Sequence, residues 1–185
     1  MVYVFLATGY EEVEALTPVD VLRRAGVEVN TVSIYDTPEV VSAHSVSIKA
    51  DITLNEVDWQ GAEMLVLPGG LPGSTNLNDC QPLRDALKAH CNSGRWTAAI
   101  CAAPLVLGGL GLLNGKHATC YPGFEKYMDG AIYTAQLCSK DGNIITGEGP
   151  AASLPFAYTL LEALKGDGAA DALKEGMMFN HLMEK

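Results

Sequence analysis

The stretch Thr97-Ala98-Ala99-Ile100-Cys101-Ala102-Ala103-Pro104 decides the fold. A short β-prone run meets a cysteine, then two residues with almost no side chain, then a proline leading into the apolar segment Leu105-Val106-Leu107. Read as strand, corner and buried helix, it puts Cys101 at the corner. A nucleophile on a sharp strand-to-helix turn needs small neighbours, because larger side chains collide across the turn. Ala99 and Ala103 supply them in a small-x-Cys-x-small pattern. Pro104 suits the first helical turn, where its missing N–H costs no hydrogen bond. A thiol at that helix start is expected to feel the positive end of the dipole, which favours the thiolate. The octapeptide fits equally a free cysteine used as a small buried hydrophobe, and alone it does not separate the two.

Upstream, Gln81 to Ser93 reads as a helix closed by Gly94, and Met64-Leu65-Val66-Leu67 as a central strand. That strand runs into Pro68-Gly69-Gly70-Leu71-Pro72-Gly73, either a plain turn or a rigid loop whose backbone can approach a ligand and offer it N–H groups. The chain opens on an apolar strand, Met1 to Ala7, then Thr8-Gly9-Tyr10-Glu11-Glu12, a helix from about Val13 to Arg24 with its stop at Gly26, and a strand from Val27 to Ile34. This β-α-β opening implies a parallel sheet with helices on its faces. Its first turn lacks G-x-G-x-x-G, which excludes the dinucleotide fingerprint there. Glu14, early on that helix, could point into the crevice at the strand ends or be an ordinary solvated first-turn carboxylate.

Val40-Val41 and Val46-Ser47-Ile48 suggest a short projecting hairpin. Downstream of the elbow, a helix is expected to run from Pro104 toward Leu113, weakened by Gly108-Gly109 and Gly111. A strand ends in Cys120-Tyr121-Pro122-Gly123, and Tyr133 to Leu137 and Asn143 to Thr146 read as strands around a Lys140-Asp141-Gly142-Asn143 turn. Helices at Ala151 to Leu164 and Ala170 to Glu175 precede a Met-rich tail suited to packing on the core or on a second subunit.

The 185 residues, 48% of them hydrophobic, suit one well-buried core, so a single domain over 1–185 is expected. A net charge of −10 opposes capture by nucleic acid or anionic lipid. The apolar start is too short for a signal core or a membrane span. Five scattered cysteines without a C-x-x-C pair suit free thiols in a reducing compartment, hence a cytoplasmic expectation. His44, His90, His117 and His181 show no metal-site spacing, so no metal is expected.

With Glu14, Leu67-Pro68-Gly69-Gly70, the Cys101 elbow, Ala118-Thr119-Cys120-Tyr121-Pro122-Gly123 and Gly149-Pro150 in order, the sequence resembles the ThiJ/PfpI superfamily. The likeness is to the branch of the human parkinsonism-associated deglycase and its bacterial relatives. The resemblance implies a flavodoxin-like three-layer sandwich with a mainly parallel sheet, related to class I glutamine amidotransferases, and a homodimer. It makes Cys101 the reactive nucleophile, Glu14 the protonated carboxyl bonded to its sulfur, and Gly70 and Ala102 the backbone donors of an oxyanion hole. Tyr121 stands where the human branch often has histidine. Where that branch builds an anion site from two arginines this chain has His44 and Glu148, so anion binding there should weaken. The protease-like branch carries histidine after its cysteine; Ala102 occupies that place, and a thiolate without an adjacent base is a poor peptidase.

The resemblance implies attack of Cys101 on methylglyoxal or a similar α-oxoaldehyde, with Glu14 shuttling protons and no cofactor. The same elbow would serve a redox sensor or holdase chaperone whose Cys101 is oxidised by peroxide. A third possibility is an amidotransferase-like domain without activity of its own.

Overall fold

The computed structural model describes residues 1–184. The chain builds β1 (Val2–Leu6), α1 (Glu12–Arg24), β2 (Val29–Ser33), β3 (Glu39–Val41), β4 (Ser47–Lys49), β5 (Ile52–Thr53), β6 (Met64–Leu67), α2 (Gly73–Asp79), α3 (Gln81–Asn92) and β7 (Trp96–Ile100). It continues through α4 (Pro104–Gly109), β8 (His117–Ala118), β9 (Ile132–Tyr133), β10 (Cys138–Asp141), β11 (Ile144–Gly147), α5 (Ser153–Lys165), α6 (Asp171–Gly176) and α7 (Phe179–Met183). No helix among the described residues is long and apolar enough to cross a membrane.

A seven-stranded sheet runs β10-β11-β7-β6-β1-β2-β5. Its ladders are parallel except for the antiparallel edge pair of β10 and β11. All five residues of β1 are buried, as a strand covered on both faces requires. Successive side chains point to opposite faces, so β1 feeds two cores. Val2, Val4 and Leu6 join Val66 and Ile100 in a cluster with α1 and α5, while Tyr3, Phe5 and Ala7 join Leu65, Leu67 and Ala99 against α3 and α4. The result is a three-layer α/β sandwich in the flavodoxin-like strand order. That order reverses at β1, between β2 and β6, and puts the crevice at the carboxyl ends of the strands.

One element had no expectation from the sequence, and two expectations fail, each for a physical reason. Gly73 to Asp79 forms α2 in a segment of turn-like composition; burial of Leu77 and the packing of Gly73 against the Tyr10 backbone hold it. The α4 helix stops at Gly109 instead of reaching Leu113, and Gly111 at φ +72° cannot continue it. The strand read over Tyr133 to Leu137 is broken at Ala135, whose φ is 50°. Ile132–Tyr133 pairs with β8, and Cys138–Asp141 is the strand that meets β11 through the 140–143 turn.

Candidate functional site

Cys101 leaves the end of β7 with φ 65°, a left-handed conformation that costs a residue bearing a Cβ about 1–2 kcal/mol. Its backbone is tied on both sides: its N–H donates to Gly147 O at 2.9 Å, and its carbonyl accepts the Tyr121 N–H at 2.8 Å. The next turn closes when Ala103 N–H donates to Ile100 O at 3.0 Å. These bonds hold the corner and turn Sγ toward the crevice side of the sheet, where the Ala102 and Gly70 N–H groups favour its charged form. Gly70 reaches that position at φ +88°, and a Cβ there would sit 2.4 Å from the Glu11 nitrogen.

Glu14 occupies the first turn of α1 and is fully buried. Its Oε2 accepts the Gly69 N–H at 2.9 Å, and Gly69 O accepts the Glu11 N–H at 2.9 Å, so the loop after β6 clasps the start of α1. The other oxygen, Oε1, is buried without a conventional hydrogen-bond partner, and the Cys101 side chain is the polar group beside the carboxyl. Burial pushes Glu14 up to about 7, against the opposing effects of the neighbouring Cys101 side chain and the Gly69 N–H. Burial, reinforced by the Glu14 charge, pushes the thiol up to about 12, while the Gly70 and Ala102 N–H groups pull it down. This reverses the thiolate expected from the helix start: α4 is six residues long, and burial with a facing carboxylate outweighs its short dipole. Each shift favours the uncharged group. With a proton on Glu14 the carboxylate's repulsion of a thiolate is gone, and the carboxyl can act as a donor toward the sulfur.

A cleft of about 200 Å³ opens over the sulfur, lined by Gly70, Leu71, Cys101, Ala102, Tyr121 and Phe124. Tyr121 also walls a second cleft of about 250 Å³, where Glu148 lies with Leu137 and the Gly149–Ala152 turn. His44 lines neither. It sits over the start of α1, with Nδ1 3.1 Å from Glu12 Oε1 and 3.7 Å from Glu11 Oε2. Those carboxylates, Glu12 first, raise its pKa. Glu11, Glu12 and His44 bring three possible metal-ligand atoms within 4.8 Å of one another. Sequence spacing hides this group, since 32 residues separate Glu12 from His44.

Cys101, Glu14, Gly70, Ala102 and Tyr121 therefore converge, Glu148 stands in the adjoining cleft, and His44 stands apart. Sequence reading had no role for Gly69 beyond the loop, for Gly147, or for Phe124. Gly69 could have been found in the Pro68–Gly73 run; Phe124 carries no signal. Cys120 and Cys138 are both held up at about 12 chiefly by burial, and neither faces the pair of backbone N–H groups that Cys101 faces.

Sheet order, strained thiol and facing carboxyl together define an α/β domain of the cysteine-elbow class. The chain belongs to the DJ-1/PfpI family, whose model matches residues 1–163. It is 40% identical over 163 residues to protein DJ-1 homolog B of Arabidopsis thaliana, covering 87% of this chain and 37% of that protein. The chain spans less than half the length of the plant relatives it matches. It is 30% identical over 171 residues to the glutathione-independent glyoxalase DJR-1.2 of Caenorhabditis elegans, covering 88% of this chain and 87% of that one. The solved structure of oxidized Toxoplasma gondii DJ-1 superposes with a TM-score of 0.91 at 34% identity, covering 96% of this chain and 97% of that chain.

Proposed function

We propose that this chain is a cofactor-independent glyoxalase or deglycase-type enzyme acting on methylglyoxal-like α-oxoaldehydes. The observation that carries the reading is the buried Glu14 carboxyl, shifted to about 7 and set against Cys101. A group of that pKa can give and take a proton near neutral pH. The glyoxalase named among the relatives supports the same reaction class.

The Cys101 sulfur adds to the aldehyde carbon, and the resulting oxyanion lies toward the Gly70 and Ala102 N–H groups. Glu14 gives its proton to that oxygen, forming the hemithioacetal. The resulting carboxylate removes the C1 hydrogen as a proton and returns it to C2 while the C1 hydroxyl proton passes to the C2 oxygen, which converts the adduct to a lactoyl thioester. Water displaces the thiol, releasing lactate and restoring Cys101 and Glu14. Purified protein should form lactate from methylglyoxal, and Cys101→Ala should form none; product counting excludes simple adducts with Lys and Arg.

A redox role for the same thiol has one specific support, a similar solved relative recorded as oxidized. Selective addition of two oxygens at Cys101 by peroxide, without carbonyl turnover, would favour it. A homodimer fits the exposed apolar residues Val13 and Leu16 on α1 and Val41 and Val46 on the β3–β4 hairpin. The hairpin meets the α1 entry through Gly9 N–H to Val41 O and Ala43 N–H to Tyr10 O, both 2.8 Å. Val13→Asp should shift a dimer toward monomer in sedimentation.

A further inference from the structure

A cleft of about 550 Å³ adjoins the one over the thiol and has no part in the chemistry above. It opens between α2, α3, the end of α4 and the Phe124–Asp129 segment, and it carries Arg84 and Lys126 against one carboxylate, Asp129. Neither cation forms a salt bridge among the described residues, in a chain whose net charge is −10. Arg84 is half-buried and its head is fixed by neutral oxygens alone: Nη1 donates to Asn78 O and Oδ1, and Nη2 to Gly109 O at 3.4 Å. A guanidinium has five N–H donors, so two remain for a ligand, and the fixed head loses little freedom on binding one. Lys126 stands 5.1 Å from the Tyr127 ring centroid, held by a cation–π contact that leaves its charge uncompensated. The floor is rigid, because Gly108 lets the Tyr127 carbonyl approach α4 so closely that a Cβ there would lie 2.1 Å from it. Leu71 and Phe124 line both this cleft and the one over Cys101, so the two adjoin.

We propose that this cleft binds a small organic anion, with a phosphate or carboxylate head between Arg84 and Lys126 and its body running past Leu71 and Phe124 to the Cys101 thiol. The volume exceeds what a three-carbon oxoaldehyde fills, and the substrate class is therefore an aldehyde carried on an anionic molecule. Anion binding stands without the carbonyl chemistry, and only the delivery of an aldehyde to Cys101 rests on the function proposed above.

Calorimetric titration of the whole chain with glycerol 3-phosphate and with glycerate tests the site, since both carry an anionic head and neither has an aldehyde. At least one is expected to bind, and Lys126→Ala and Arg84→Gln should each weaken it at least about tenfold. The stronger of the two identifies the head group. The bound anion should also slow alkylation of Cys101 by iodoacetamide in the wild-type protein. Because Arg84 also ties Asn78 to Gly109, the exposed Lys126 carries the test if Arg84→Gln unfolds. No binding of either anion, or equal binding by Lys126→Ala, overturns the site; binding with no change in alkylation overturns the link to Cys101. A protein that binds an anion yet makes no lactate refutes the carbonyl reading alone, and one that makes lactate and binds neither refutes this proposal alone.

Discussion

The Gly69 N–H donates to Glu14 Oε2 at 2.9 Å across 55 residues of sequence, so the loop after one strand sets the position of a carboxyl on the first helix. A Cβ on Gly69 would lie 2.5 Å from that oxygen and 2.6 Å from Cys101 Cβ, wedged between the two reacting side chains. Gly69→Ala should therefore cost about 1–3 kcal/mol of stability and lower turnover with it. Urea unfolding and kcat/KM measured together would show both losses; a variant with wild-type stability and turnover would mean the clasp is slack.

Glu14 also gives stability a defined pH dependence. Its pKa is about 7 in the folded chain and near the ordinary 4.5 in the unfolded one, so between those values the folded state holds a proton that the unfolded state has lost. This contribution is fully present below pH 4.5, declines as pH rises through about 7, and amounts to about 3 kcal/mol. Glu14→Gln removes the titration, so its stability relative to wild type should climb over that window. Parallel curves in urea unfolding from acid to mildly alkaline pH would contradict the burial of an ionisable carboxyl.

At φ 65° the corner residue reverses a familiar ranking. Glycine ordinarily destabilises relative to alanine, but a Cβ in the left-handed region is penalised while glycine is not. Cys101→Gly should be more stable than Cys101→Ala by about 1 kcal/mol in urea unfolding. The ordinary order, alanine above glycine, would mean the elbow carries no strain.

Neighbouring glycines in α4 should behave oppositely. Gly108→Ala drives a Cβ onto the Tyr127 carbonyl and should destabilise despite alanine's higher helix propensity. Gly109→Ala meets nothing nearer than 3.6 Å and should be neutral or stabilising by up to about 1 kcal/mol. Thermal unfolding of the pair checks the contrast.

The sheet was readable because its strands are covered on both faces: runs such as Val2–Leu6 and Met64–Leu67 leave little alternative. The elbow was readable because steric demands of the corner appear as small residues around Cys101. What escaped depends on tertiary partners. Helix α2 has turn-like composition and is held by packing, and the break at Ala135 has no local signature. The thiol's electrostatics were misjudged for the same reason: a dipole can be read from helix position, but a carboxyl placed by Gly69 cannot. Arg84 and Lys126 meet only after α3 and the 124–129 segment fold around one cleft.

The most direct test of the central claim separates thiol reactivity from proton transfer. Lactate formation from methylglyoxal should be measured for wild type and Glu14→Gln, beside alkylation of Cys101 by iodoacetamide in each. The account predicts lactate from wild type and a loss of at least about 100-fold in Glu14→Gln, with Cys101 still open to alkylation. Wild-type lactate rates from Glu14→Gln would contradict it, because the carboxyl against the sulfur would then not be the group that moves the proton.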